Sequence, residues 1–91
     1  VTENAEARGG IASLQRIGGD SGKRLAASGL MPSRVQAAQR QLSVVFDHAE
    51  AEFARRIVNG EAADAVLREL IAGAAREEAA IVSANSPRRR Q

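Results

Sequence analysis

The sequence predicts an all-α fold, and three observations support that prediction. Apolar residues recur at helical spacing through residues 34–59 and again through residues 61–83, and Asn59-Gly60 separates the two runs. A connection this short makes two helices antiparallel neighbours. The predicted architecture is therefore an antiparallel helical hairpin preceded by short N-terminal helical segments, and we expect two copies to form a dimeric four-helix bundle.

The first helix of the hairpin, Arg34–Asn59, has a defined start and one apolar face. Ser33 and Gln36 have the spacing of a capping box, and Pro32 disfavours helical geometry for the residue before it. Eight apolar residues fall within an arc of about 120°, and they are Val35, Ala38, Leu42, Val45, Phe46, Ala49, Phe53 and Ile57.

The second helix, Glu61–Ser83, follows a stop signal. Asn59 and Gly60 are the two residue types that best tolerate left-handed geometry at a helix end. The apolar face of this helix contains Ala63, Val66, Leu67, Leu70, Ile71, Ala74, Ile81 and Val82. Pairing about the turn predicts that Phe53 lies near Val66 or Leu67.

Two helices alone do not bury two apolar faces well. A single core in a unit below about 70–80 residues rarely supplies more than about 3–5 kcal/mol, so the hairpin needs a third surface, and we expect a second copy to provide it. The predicted interface and core residues are Val35, Leu42, Val45, Phe46, Phe53, Val66, Leu67, Leu70 and Ile71.

Outside the hairpin domain, residues 33–83, the sequence predicts two less ordered regions. Residues 1–32 are a flexible N-terminal arm with short helical pieces, because Gly9-Gly10 and the glycine-rich stretch 18–22 interrupt them. Either a loosely ordered arm or a lid packed on the hairpin fits this composition, and the glycines make docking entropically costly. Residues 84–91 are a basic tail.

Composition limits the possible functions. The 91 residues include no cysteine, which excludes a disulfide framework, a thiolate zinc site and a cysteine nucleophile. No apolar run has the length of a bilayer span. We therefore expect a cytoplasmic protein without a membrane segment, a cofactor or a metal.

Three features of the sequence are candidate chemical sites. Residues 18–23, Gly-Gly-Asp-Ser-Gly-Lys, lack the spacing of a nucleotide-binding phosphate loop. His48, the only histidine, supplies with Glu52 at most two of the three or four ligands that zinc requires, so we interpret it as solvated. Glu77 and Glu78 lie beside the apolar face, where they are solvated, form a structural ion pair or perform acid–base chemistry.

The function predicted from these observations is a small non-enzymatic module for protein–protein interaction, assembly or regulation. It acts as a homodimer, and another protein is its expected partner. The alternative is a small nucleic-acid-binding protein whose tail residues Arg88, Arg89 and Arg90 contact phosphates. A third class, a helical enzyme with Glu77 and Glu78 between subunits, has no substrate specified by the sequence.

The nucleic-acid alternative has a direct test. If Arg88–Arg90 contact DNA phosphates, their deletion lowers the slope of log binding constant against log salt by about 2.7, since each contact contributes about 0.9. Fluorescence anisotropy with duplex DNA over a salt series measures that slope. The absence of DNA binding by the full chain at about 0.1 M salt would exclude this alternative.

Overall fold

The part of the chain that the structure describes forms three helices joined by two short connections. The computed structural model describes the backbone of residues 2–86 and the side chains of Ala5 and residues 7–86. The helices are α1, Thr2–Ala26; α2, Pro32–Val58; and α3, Ala63–Asn85. No strand occurs in this part of the chain. The all-α prediction is confirmed, with three helices.

The helices run up, down and up. The start of α1 meets the end of α2, because Gly10 lies against the ring of Phe53. The end of α1 meets the start of α2, where the Gln39 amide donates to the carbonyl of Gly22 at 3.3 Å. Asn85 of α3 donates to Gln41 of α2 at 3.2 Å, so α3 runs antiparallel to α2 and parallel to α1.

The core has two hydrophobic clusters, one toward each end of the bundle, and all three helices contribute to both. One contains Leu14, Ala49, Phe53 and Val66. The other contains Leu25, Ala38, Leu42, Phe46, Ala74 and Ile81. Phe53 and Val66 share a cluster, as the pairing about the turn predicted.

The prediction that residues 1–32 contain only short helical pieces was wrong. The sequence predicted two short segments with glycine breaks, whereas α1 is one helix of 25 residues that passes through all five of its glycines. Two of those glycines receive the aromatic rings of α2: a Cβ at Gly10 would lie 2.1 Å from Cζ of Phe53, and one at Gly18 would lie 3.1 Å from Cγ of Phe46. At Gly10 and Gly18, close packing with α2 therefore offsets the roughly 1 kcal/mol that a glycine costs a helix.

The helix boundaries in the hairpin region also differ from the prediction. Met31, not Ser33, is the N-cap of α2, and no side chain caps it, because Pro32 already begins the helix. The capping box is therefore absent. Gly60, which follows the end of α2, has a left-handed φ of 89°. Two hydrogen bonds of the Schellman type close the helix end, because Gly60 N–H donates to the Ile57 carbonyl and Glu61 N–H donates to the Arg56 carbonyl.

None of the three helices, as far as the structure describes them, contains an apolar stretch long enough to cross a lipid bilayer.

We expect Gly10→Ala to destabilise the protein by up to about 2 kcal/mol. The new methyl group gains helix propensity of about 1 kcal/mol but overpacks a closed core at a cost of about 1–3 kcal/mol. Phe53 is 0% exposed and its ring lies against the Gly10 position, so the added methyl group must displace the ring. Chemical denaturation monitored by circular dichroism measures the change.

The matched control is the neighbouring glycine. Gly9 lies in the same helix with no atom within 4 Å of the position of its missing Cβ, so Gly9→Ala should stabilise the protein by up to about 1 kcal/mol. Equal stabilisation by both substitutions would show that the Phe53 ring does not require Gly10.

Candidate functional site

The predicted interface residues divide into two groups in the structure. Leu42, Phe46, Phe53 and Val66 are buried within one chain. The other five are half-buried, and they are Val35, Val45, Leu67, Leu70 and Ile71. Because α1 covers part of the apolar faces of α2 and α3, the buried group is not accessible to a second copy without opening the bundle.

A polar cluster joins α1 to α3. Arg24 donates two hydrogen bonds to the carboxylate of Glu78, from Nε at 3.1 Å and from Nη2 at 2.8 Å. The buried Ser21 hydroxyl donates to the same carboxylate at 2.7 Å. The Glu78 side chain is 16% exposed, whereas that of Arg24 is 60% exposed. The cluster therefore has one shielded side and one solvated side.

The charge of Glu78 is stabilised by this arrangement. The hydrogen bond from Arg24 lowers the pKa of the Glu78 carboxyl below its usual range, and the Ser21 hydroxyl acts in the same direction against the opposing effect of burial. Of the three interpretations of the acid pair, the structure shows an ion pair for Glu78, whereas Glu77 is exposed.

A second polar cluster fixes the connection between α2 and α3. The Arg56 guanidinium, with a side chain 18% exposed, contacts Glu61 at 2.7 Å and Glu69 at 2.7 Å. The hydrogen bond from Arg56 lowers the pKa of Glu69. Arg56 therefore links the end of α2, the connecting turn and the first half of α3.

The outer face of α2, which faces away from the core, is partly apolar. Ala37, Val44, Ala51 and Val58 follow each other at intervals of seven residues. Val44 is 67% exposed and Val58 is 86% exposed, whereas most large apolar residues of the helices are covered. A spacing of seven residues keeps these four side chains on one side of the helix, within an arc of about 60°.

A groove of about 350 Å³ lies beside that face, between α1 and α2. Its floor contains Leu42 and Phe46, and the α1 wall is formed largely by glycine. Asp47 and Glu50 lie along the α2 wall, and Glu50 accepts a hydrogen bond of 3.4 Å from Gln15. The residues that line this groove include two acids and no base.

The fold does not support the metal or the phosphate-loop hypothesis. His48 is exposed and lines a groove between α2 and α3 with Glu69 and Glu77. Within the described residues, no three His, Cys, Asp or Glu side chains are grouped closely enough to hold a metal ion. The stretch 18–22, predicted to interrupt the N-terminal helical pieces, is helical. Arg88, Arg89 and Arg90 lie outside the described residues.

Sequence reasoning missed Ser21 and Arg24 as partners of Glu78. The partner residues are separated from Glu78 by 57 and 54 positions, and no local pattern connects them. The one available signal was the position of Glu78 beside an apolar face, where a carboxylate needs a partner or water.

Comparison with protein-family models, with curated protein sequences and with solved structures finds no match to this chain. Its function is therefore argued from its own surfaces.

We expect Glu78→Gln to lower stability by about 1 kcal/mol at pH 7, because it removes a charged acceptor of two arginine hydrogen bonds. The folded-state pKa of Glu78 is depressed, so its contribution is present above the unfolded value of about 4.3 and is lost as pH falls through the folded value. Urea denaturation across the acidic range measures this contribution.

The variant should therefore lose less stability than the wild type on acidification. Glu77→Gln, at the exposed neighbouring position, is the control and should change stability by less than about 0.5 kcal/mol. Parallel acid profiles for the wild type and Glu78→Gln would contradict a structural role for the Glu78 charge.

Proposed function

We propose that this chain is a small non-enzymatic helical module that acts by protein–protein contact and associates with itself. The observation that carries the proposal is the outer face of α2. Val44 and Val58 remain exposed there, in line with Ala37 and Ala51, although the bundle has a closed core elsewhere. An apolar row at heptad spacing is suited to another helix.

The form of the dimer differs from the predicted one. The sequence-based argument required a second copy because two helices leave their apolar faces uncovered, and α1 now covers part of those faces. Each chain contributes three helices, so a dimer contains six helices rather than four. The proposed contact is therefore an outer surface of a folded bundle, not a shared core.

An interaction role also fits the polar residues. Glu78, the acid best placed for catalysis by burial, is bound by Arg24 and Ser21. Arg56, Glu61 and Glu69 hold the connection between two helices. These charged groups act as structural links, which supports a contact function in preference to acid–base chemistry. The proposed compartment is the cytoplasm, and a further protein partner is part of the proposal.

Self-association is tested by mass measurement over a concentration series. Sedimentation equilibrium should show a mass that rises from 9.6 kDa toward twice that value, with a dissociation constant in the micromolar range, because an interface along one helix is small. Val44→Ser with Val58→Ser should weaken association by at least about tenfold while changing the free energy of unfolding of the monomer by less than about 0.5 kcal/mol.

A monomer at every concentration up to about 1 mM, where an association free energy of only about 4 kcal/mol is detectable, would overturn the proposal.

A further inference from the structure

Two opposite charges frame an exposed valine on the outer face of α2. Arg40 and Asp47 are seven residues apart and both are exposed. Seven residues correspond to about 10.5 Å along a helix and about 20° around it, so the two charges lie on one side. Val44, 67% exposed, lies between them. Among the described residues, neither charge forms an ion pair.

The groove beside Asp47 has room for a cation. Asp47 and Glu50 are one turn apart along one wall. Gly19 forms part of the opposite wall, and no atom lies within 4 Å of the position of its missing Cβ. Glycine weakens a helix relative to alanine, and packing within the chain does not explain Gly19. An acidic groove with an open wall is complementary to a long cationic side chain.

We propose that the outer face of α2 binds the same face of a second copy, in antiparallel orientation, with the two-fold axis between Ser43 and Val44. Arg40 of each copy then enters the groove of the other and contacts Asp47 and Glu50. The inference rests on the proposed self-association and names its surface. Such a contact is isologous, because the same patch is used by both copies.

The register follows from the charges. A two-fold axis between Ser43 and Val44 brings Arg40 opposite Asp47 of the second copy, and symmetry creates the same pair again. The two Val44 side chains become neighbours at the axis and are buried from solvent. Residues from Pro32 to Arg55 overlap along about 36 Å of helix.

Other arrangements of the same face are less favourable. In a parallel pair, Arg40 is level with Arg40 of the second copy and Asp47 with Asp47, so like charges oppose each other. An antiparallel pair centred between Asp47 and His48 brings Arg40 opposite Arg55. An antiparallel pair centred on Ala51 aligns Val44 with Val58 but leaves Arg40 opposite Ala62. The proposed register pairs both charges.

Charge reversal tests the proposal. Arg40→Asp alone brings two acids together, Asp47→Arg alone brings two arginines together, and each should weaken self-association by at least about tenfold. An equimolar mixture of the two single variants restores both attractive pairs, so it should form a 1:1 heterodimer within about threefold of wild-type affinity. The double variant should recover in the same way. Sedimentation velocity gives the affinities, and native mass spectrometry gives the composition of the mixture.

Matched controls separate this surface from general effects of charge and exposure. Arg76→Asp reverses an exposed charge on α3, and Met31→Ser removes an exposed apolar side chain that precedes α2 and lies outside the overlap. Both should leave self-association unchanged, whereas Val44→Ser should weaken it. Because Arg40 and Asp47 are exposed, their variants should keep the helix content and Tm of the wild type.

The outcomes distinguish two failures. A wild-type chain that is monomeric at all concentrations overturns the proposed function, and this inference with it. A wild type that self-associates while both charge reversals have no effect overturns this inference alone. Weakening by each reversal without recovery in the mixture also overturns it, because the paired register then does not exist.

Discussion

The fold depends on the contact between two phenylalanines of α2 and two glycines of α1. Phe46 and Phe53 are the only aromatic residues of the chain. Gly18 and Gly10 leave the space that their rings occupy. Most of the other core residues are aliphatic and several are alanines, so these rings supply much of the apolar volume. The same contacts hold a glycine-rich segment as a helix, which its intrinsic propensity opposes.

Polar contacts then orient α3 on the pair formed by α1 and α2. Ser21 and Arg24 bind Glu78 near the end of α1. At the other end of the bundle, Arg56 binds Glu61 and Glu69. Hydrogen bonds and ion pairs are directional, whereas apolar burial is not. These two clusters therefore fix the register of α3, which alanine-rich faces alone specify weakly.

Because α1 covers part of the apolar faces of α2 and α3, the expected contact surface is the outer face of α2 and not the core. Residues such as Leu42 and Phe46 are occupied by packing within the chain. The outer face of α2 retains exposed valines and two exposed charges of opposite sign. A surface of this kind suits association between folded molecules, where charge selects orientation and apolar contact contributes affinity.

The sequence by itself determined the helical class, the approximate extents of α2 and α3, and the stop at Gly60, because periodicity and turn chemistry are local properties. Only the tertiary structure decided that α1 is a single helix and that Glu78 binds Arg24. A glycine within a helix weakens it when nothing approaches, and it permits close packing when a ring such as that of Phe53 lies against it. Which of these applies depends on residues 28 or 43 positions away, Phe46 for Gly18 and Phe53 for Gly10, and a local pattern does not contain that information.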